Sequence, residues 1–420
     1  MSILIKGVVL NGAKKDIYIE GNRIKEIGDH LEVEAEEMIP GDGKVAIPSF
    51  VNGHTHAAMT LLRGYADDMP LKEWLETKIW PVEAHMREDD VYWGAKLACL
   101  EMIKTGTTFF SDMYWHWRGT ARAVQEMGIR AAVSAVFIDL FDGGKTKEQI
   151  KMNEQLFATR GDFGPRVIFT LGPHAIYTVS EEGLRWCAEF ARENGLLIHI
   201  HLSETEEEVQ SCLRNHGMRP VQYLESLGFL GPHVIACHCV WLDEGEMDIL
   251  QGNGVRVVHN PISNMKLTVG SVFPYLSLRQ RGVIISLGTD GCASNNNLDM
   301  LETAKFASLL QKFHTGDPVV MPAQEALDLI TSQGAQAFGL ECGAIEVGKW
   351  ADIALVDLNH PQLSPHFHLD SDLIYAANGS CIDTLICDGK VLMQGHRVEG
   401  EEEIVARAQE VAFDLIKRAS

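Results

Sequence analysis

No apolar run in the chain approaches the roughly 18 residues that a membrane-spanning helix requires. Positive charge is also scarce: 58 acidic residues face 36 basic ones, for a net charge of −22. A nucleic-acid groove or an anionic membrane surface needs basic patches, so neither is expected as a partner. No G-x-G-x-x-G or Walker sequence follows a strand-like run, which weighs against a nucleotide-cofactor fold. The nine cysteines are dispersed, with no C-x-x-C pair, and reduced thiols are expected. Cys237-His238-Cys239 comes nearest to a cysteine metal motif. Strand alternation sets its two thiols opposite His238, and they read as core packing. The opening residues, Met1 to Leu10, lack the basic start, long apolar stretch and small-residue cleavage site of a secretory leader. They read as a first strand, and a cytoplasmic setting is expected.

What is present is an ordinary globular composition, 46% hydrophobic and 22% charged, over 420 residues. That length suits one large domain and a smaller one. Short β-like runs separated by turn signals fill the first 44 residues (Ile3 to Leu10, Lys15 to Glu20, Arg23 to Ile27). Similar runs occupy 347–398, with Asp388-Gly389 as a hairpin turn. The two end pieces are expected to pair into one small β-domain. Between them eight strand-like runs alternate with helical segments: Ala46–Val51, Thr107–Ser111, Arg130–Phe137, Val167–Leu171, Leu196–Ile200, Val234–Cys237, Val255–Val258 and Val283–Leu287. Expected helices include Asp89–Lys104, Ser180–Asn194, Asp243–Gln251, and Leu298–Phe313 capped by Asn297. The alternation predicts an α/β fold: a TIM-type (β/α)8 barrel with a small β-sandwich domain built from both chain ends. The expected boundaries are 1–45 and 346–398 for the sandwich, 46–345 for the barrel, and 399–420 for a C-terminal helix.

The polar residues fall where such a barrel places its chemistry, at the C-terminal ends of the strands. The first strand runs into Asn52-Gly53-His54-Thr55-His56. Residues i and i+2 of an extended segment point the same way, so His54 and His56 can offer two imidazoles to one point. Later strands end at Asp112, His174, His201, His238, His259 and Asp290. A single histidine at a strand end is usually a satisfied core residue. So many at equivalent ends point to a metal site.

These motifs resemble those of the amidohydrolase superfamily over nearly the whole chain. The resemblance rests on Pro48-Ser-Phe-Val-Asn-Gly-His-Thr-His56, His199-Ile-His-Leu-Ser-Glu204, Ala236-Cys-His238, His259-Asn-Pro-Ile-Ser-Asn264 and Leu287-Gly-Thr-Asp-Gly-Cys-Ala-Ser-Asn295. Within it the chain looks like the deaminases of 5'-modified adenosines: 5'-deoxyadenosine, 5'-methylthioadenosine and S-adenosylhomocysteine. The resemblance implies hydrolytic conversion of adenine to hypoxanthine with release of ammonia. It implies one divalent metal held by His54, His56, His201 and Asp290, with Zn²⁺ expected and Fe²⁺, Mn²⁺ or Co²⁺ suited to similar ligands. Such an ion lowers the pKa of a bound water from 15.7 to about 7. Two-metal branches of the superfamily carry a bridging lysine at the end of strand four. Here Gly172-Pro173-His174 stands there, so a single metal is expected.

By the same resemblance Glu204 matches the proton-shuttling glutamate, His238 the residue orienting the attacking water, and Asp290 both a ligand and a proton acceptor. A charge at a helix start accounts for Glu206 to Glu208; for Glu204 the catalytic role is preferred. Glu83 matches the carboxylate that accepts hydrogen bonds from the ribose hydroxyls. His174 and Ser294 match substrate-contacting positions, and Trp74 is expected either to wall the 5' end or to pack its helix. Met59 and Arg63 are expected at the pocket, Asp112, His116 and His259 in structural roles, and Asp67-Asp68 in a solvated turn. Asp139 and Asp142, in a stretch without arginine, are expected to give the 5' end an acidic lining. A small-molecule nucleoside substrate and a homo-oligomer complete the expectation. Two alternatives remain: another ring hydrolysis on this barrel (guanine or cytosine deamination, triazine dechlorination), or a non-catalytic metal-binding barrel.

Overall fold

The structure, a computed structural model, describes residues 1–420. The chain begins with five strands, β1 (Ser2–Leu10), β2 (Ala13–Glu20), β3 (Arg23–Gly28), β4 (Glu37–Pro40) and β5 (Lys44–Pro48). Eight more follow: β6 (Phe50–Thr55), β7 (Thr107–Tyr114), β8 (Arg130–Phe137), β9 (Val167–Pro173), β10 (Ile198–Leu202), β11 (Val234–His238), β12 (Arg256–His259) and β13 (Ile285–Leu287). Three close the chain before the last helix: β14 (Ile353–Asp357), β15 (Ile382–Cys387) and β16 (Lys390–Met393).

Strands β6 to β13 pair in sequence order, all parallel, into one sheet with helices between them. Every residue of β6, β7, β8, β10 and β11 is buried, as expected of parallel strands covered on both faces. The sheet curls until β13 meets β6. There Asp290 N donates to His54 O at 2.9 Å, and Thr289 N donates to Asn52 Oδ1 at 3.1 Å. The Asn52 amide also donates to Thr289 Oγ1 at 2.7 Å. Glycine permits this approach: a Cβ on Gly288 would stand 2.7 Å from His54 N, and one on Gly53 3.0 Å from Leu287 O. The closure thus brings His54 and Asp290 into direct backbone contact.

The remaining strands form a mixed sheet in the order β16-β15-β14-β5-β1-β2-β3, with β4 against β1, so both chain ends build one layer. The single strand expected over Ala46–Val51 is two strands. Lys44–Pro48 pairs antiparallel with β14, and after Ser49 the chain enters the barrel at Phe50. Pro48 lacks a backbone donor, which suits a point where the chain leaves one ladder for another. The two bodies are riveted beneath β8 and β9. Arg130 and Arg166 contact the two carboxylate oxygens of Asp388 at 3.1 and 3.2 Å, and Arg130 also covers the Trp350 ring at 4.0 Å. Asp388 and Gly389 both have positive φ, 54° and 69°, as a tight hairpin turn between twisted strands demands.

Helices lie at Glu88–Lys104, Glu181–Asn194, Glu244–Gly252 and Met300–Thr315. The cap of the last is Asp299, whose carboxylate accepts from Leu301 N and Glu302 N. Asn297 instead accepts from Asp299 N and so sits two residues too early to cap. The C-terminal helix spans Glu401–Ala419, and Arg418 anchors it to Asp90 with two bonds of 2.7 Å. No helix is long and apolar enough to cross a membrane. All nine cysteines are free and buried.

Barrel closure gives a stability test. Gly288→Ala must displace the His54 backbone as well as the Asn260 side chain, at 2.7 and 2.5 Å from the added Cβ. It should lower unfolding stability by about 1–3 kcal/mol in chemical denaturation. An unchanged midpoint would show that the β6–β13 junction is looser than described.

Candidate active site

At the C-terminal mouth of the barrel, His54, His56, His201 and Asp290 converge. His54 Nε2 and His56 Nε2 each lie 3.3 Å from Asp290 Oδ1, and His201 Nε2 lies 3.4 Å from His56 Nε2. Two metal–ligand bonds of 2.0–2.1 Å at a tetrahedral angle separate their donor atoms by about 3.3 Å. The spacing is therefore that of a coordination shell. His54 Nε2 is buried and has no hydrogen-bond partner, the condition of a lone pair kept for an ion.

Each imidazole is aimed from behind. His56 Nδ1 lies 2.6 Å from Met113 O and His201 Nδ1 2.8 Å from His174 O, so both donate through Nδ1–H and turn Nε2 lone pairs inward. His54 Nδ1 is 2.8 Å from His199 Nε2. Asp290 accepts from Ser263 Oγ at 2.6 Å and from Gly291 N at 2.8 Å, and is held at φ 62°. Burial drives His201 well below the ordinary histidine range, which keeps its ring neutral. Burial also works against a charge on His56, but Asp290 outweighs it and lifts that ring to about 9. Asp290 is opposed by its own burial and held well below the carboxylate range by His54 and His56. The pair attracts positive charge at this point, which a divalent cation answers better than a proton.

A second cluster, His54, His199 and Cys237, is not a metal site. Its separations, 2.8 Å from His54 to His199 and 2.9 Å from His199 to Cys237 Sγ, are shorter than a coordination edge and suit hydrogen bonds. Burial pushes the Cys237 thiol upward, so it stays protonated beneath the site. It does more than fill the core, because it helps fix His199.

Beside these four residues stand Glu204 and His238, with Glu204 Oε1 3.6 Å from His238 Nδ1. The Asn264 amide donates to the same nitrogen at 2.8 Å. Burial depresses His238 to about 3, so its ring is neutral. Burial raises Glu204 well above the usual carboxylate range, and the charges of Asp290 and Glu208 add to the effect. These surroundings favour the acid form of Glu204. It precedes the helix Glu206–His216, whose cap is Thr205, and so is not a helix-start charge. Glu208, expected among such charges, is buried, and its two oxygens accept from Ser203 N and Glu204 N at 2.8 and 2.9 Å.

The pocket over these groups has about 700 Å³ of space, counting its open mouth. Glu83, His174, Ser294, Trp74 and Met59 all line it. Tyr114 Oη donates to one oxygen of Glu83 at 2.7 Å, and Trp115 Nε1 donates to the other at 3.1 Å. Neither aromatic was singled out from the sequence, although Tyr114 ends strand β7 and Trp115 directly follows it. Trp74 is buried and donates to Ala66 O at 2.9 Å, so it both packs its helix and walls the pocket. Arg63 does not reach the cavity; it pairs with Glu101 and donates to Asn296 O at 2.6 Å. Asp67 and Asp68 are exposed in a turn, as expected, and Lys266 pairs with Asp67.

The expected acidic lining is absent. Asp139 is buried, accepts from Ser180 N, Ser180 Oγ, Phe141 N and Thr146 Oγ1, and faces away; Asp142 caps the helix Gly143–Ala158. Val136 and Ile138 face the pocket instead, because alternation along the strand assigns them the other side. Asp112 accepts from Ala57 N at 2.7 Å, His116 Nε2 lies 3.1 Å from Met86 O, and His259 stacks on Phe273 with ring centroids 4.3 Å apart. None of the three lines the pocket.

Comparison with known proteins places this geometry. The amidohydrolase family model matches residues 45–392. The 5'-deoxyadenosine deaminase of Methanoregula boonei is 49% identical, over 100% of this chain and 96% of that protein. The 5-methylthioadenosine/S-adenosylhomocysteine deaminase 1 of Archaeoglobus fulgidus is 48% identical, over 98% and 96%. Among solved structures, an adenosine deaminase from Xanthomonas campestris with bound zinc superposes with a TM-score of 0.93, at 32% identity over 99% of this chain and 98% of that one.

The ligand geometry makes a direct demand on metal content. Elemental analysis of the purified chain should find about one divalent ion per chain, and His54→Ala or Asp290→Ala should take that figure towards zero. Two ions per chain in the unaltered protein would contradict a single-ion shell.

Proposed function

The chain belongs to the amidohydrolase family, and we propose that it is a metal-dependent hydrolytic deaminase of 5'-modified adenosines. The products are the corresponding hypoxanthine nucleoside and ammonia. The observation that carries this reading is Glu204: a buried carboxyl group, its acid form favoured by its surroundings, standing 3.6 Å from His238 and beside a cluster of three histidines and an aspartate. Relatives alike over their full length are deaminases of such nucleosides, which supports the same substrate class.

His54, His56, His201 and Asp290 would hold the ion, with Zn²⁺ our choice among the divalent metals. When bound, it would make water a nucleophile at neutral pH by lowering its pKa to about 7. The chain's own residues do the rest. Glu83, gripped by Tyr114 and Trp115, keeps free lone pairs on both oxygens for the vicinal ribose hydroxyls. That grip favours a nucleoside over a free base. His174, neutral because burial takes it down to about 3, lies against the base, and Ser294 lies across the pocket. Glu204 gives its proton to adenine N1, which draws electrons from C6 and opens it to attack by water oxygen. His238 orients that water, and Asp290 accepts its proton. Asp290 hands that proton to N6, the C6–N6 bond breaks and the nitrogen leaves as ammonia, and the C6 hydroxyl proton returns to Glu204 as the hypoxanthine carbonyl forms. We place this reaction in the cytoplasm and in a homo-oligomer; the buried free thiols support the former, and size-exclusion chromatography reads the latter.

Incubation with 5'-deoxyadenosine or 5'-methylthioadenosine should lower the adenine absorbance band and release ammonia in step. Glu204→Gln should cut kcat by about 100-fold or more while retaining the metal. Unchanged substrate with fully metallated protein would sink the assignment. Metal loss in the variant would make Glu204 a ligand instead.

The pocket lining sets a second expectation. It contains Leu71, Trp74, Leu75, Trp80 and Leu267 but no lysine or arginine. A carboxylate tail would be desolvated there without a guanidinium to answer it, whereas hydrogen or methylthio meets no such cost. At one pH and one metal loading, kcat/KM should be higher for 5'-deoxyadenosine or 5'-methylthioadenosine than for S-adenosylhomocysteine. The reverse order would require a cation from outside this lining, such as a neighbouring subunit.

A further inference from the structure

Glu208 is a buried carboxylate without a basic partner. Its oxygens are used by Ser203 N and Glu204 N, one each, at 2.8 and 2.9 Å. The helix that begins at Glu206 does not require this arrangement. Thr205 already caps it, with Oγ1 accepting from Glu208 N at 3.2 Å. In an ordinary capping box the third helical residue reaches back to the N–H of the cap itself. Here it reaches past the cap to the two preceding residues, one of which is the proposed acid.

Those two residues sit in a backbone shape that needs support. Ser203 has φ 50°, a region that costs a residue with a side chain about 1–3 kcal/mol unless its surroundings fix it. Its carbonyl accepts from both Val240 N and Trp241 N, at 3.0 and 2.8 Å, just beyond His238 on the neighbouring strand end. The peptide entering Glu204 is thus held on its carbonyl side by the strand that carries His238, and on its amide sides by Glu208. Only Glu208 is a side chain, and so only it can be changed without altering the backbone donors.

Resting on the deaminase reading above, we infer that Glu208 is the positioning residue that aims Glu204 at its proton acceptor. It touches neither substrate nor metal; it acts by fixing the two amides from which the Glu204 side chain projects. A shift of about 1 Å in a proton donor is enough to cost two orders of magnitude in rate. Burying a carboxylate beside Glu246 opposes folding, and burial with that neighbour lifts Glu208 to about 7. A helix cap alone would not call for such a group, because Thr205 serves.

The test compares Glu208→Ala and the isosteric Glu208→Gln, each in the unaltered chain and in Glu204→Gln. Glutamine offers one acceptor oxygen and sets an NH2 against the other amide, so its effect should be intermediate. Glu208→Ala should lower kcat by about 10- to 100-fold with KM within about threefold and metal content unchanged. In the Glu204→Gln background the same change should alter kcat by less than about twofold, because the group being aimed no longer shuttles a proton. Glu208→Gln, which preserves volume, carries the test if the alanine variant does not fold. A fall in melting temperature with unchanged kcat per metal-loaded site would reduce Glu208 to a helix support and overturn the inference. An equal loss of kcat in both backgrounds would also overturn it. The unaltered enzyme assayed alongside isolates the other failure, since no ammonia from it would sink the deaminase reading itself.

Discussion

Four donor atoms from three separate stretches of chain meet in a space from which solvent is nearly excluded, and without a cation their lone pairs would face one another unsatisfied. Asp290 is the centre of that constraint, 3.3 Å from two imidazole nitrogens. A charged carboxylate in a buried place survives only with opposite charge or donors around it. Ser263, Gly291 and the histidines supply part of that, and a divalent ion the rest. The requirement reaches back into the fold. His54 lies on the first barrel strand and Asp290 just beyond the last, so the shell exists only if β13 closes against β6. That closure depends on side-chain bonds of Asn52 and on glycines at 53 and 288, where backbones pass too closely for a Cβ. Barrel geometry and metal affinity are thus two aspects of the same contacts.

Two buried glutamates four positions apart show how burial is put to different ends. Glu204 is surrounded so that its acid form is favoured, which suits the proposed delivery of a proton to a ring nitrogen. Glu208 is turned the other way, with both oxygens occupied by backbone amides, and holds the turn from which Glu204 projects. The left-handed conformations at Ser203, His238 and Asp290 cluster around the same point. Strain of that kind persists only where surrounding bonds over-determine it; Glu208 supplies one at Ser203, and Ser263 and Gly291 supply them at Asp290.

At the other end of the pocket the chemistry is plain surface. Trp74, Leu71, Leu75 and Trp80 make an apolar wall beyond Glu83, and the chain there takes a wide π-helical turn over Leu75–Ile79. Such a wall discriminates by what it refuses to solvate. The proposed discrimination among 5' groups rests on the lack of a cation in this lining, not on a specific contact.

Much was legible in the residues before any coordinates. Eight strand-like runs alternating with helical segments, with histidines and aspartates just beyond them, require a barrel whose mouth gathers those side chains, because strand direction and period fix which end and which face they occupy. The turn at Asp388-Gly389 was equally plain, since few residues accept positive φ in succession. What could not be read was anything set by contact between distant stretches. Asp139 and Asp142 looked like pocket acids because they lie past a barrel strand; alternation and two local caps turn both away. Tyr114 and Trp115 looked like ordinary aromatics until the fold brought Glu83 against them from another segment. Glu208 carried the composition of a solvated helix start, and only its burial against Ser203 and Glu204 makes it a support. Sequence determined which residue types stand at the strand ends, because periodicity is a local property. Tertiary structure decided which of them are aimed, shielded or held, because those depend on the burial and hydrogen bonds that the closed barrel alone creates.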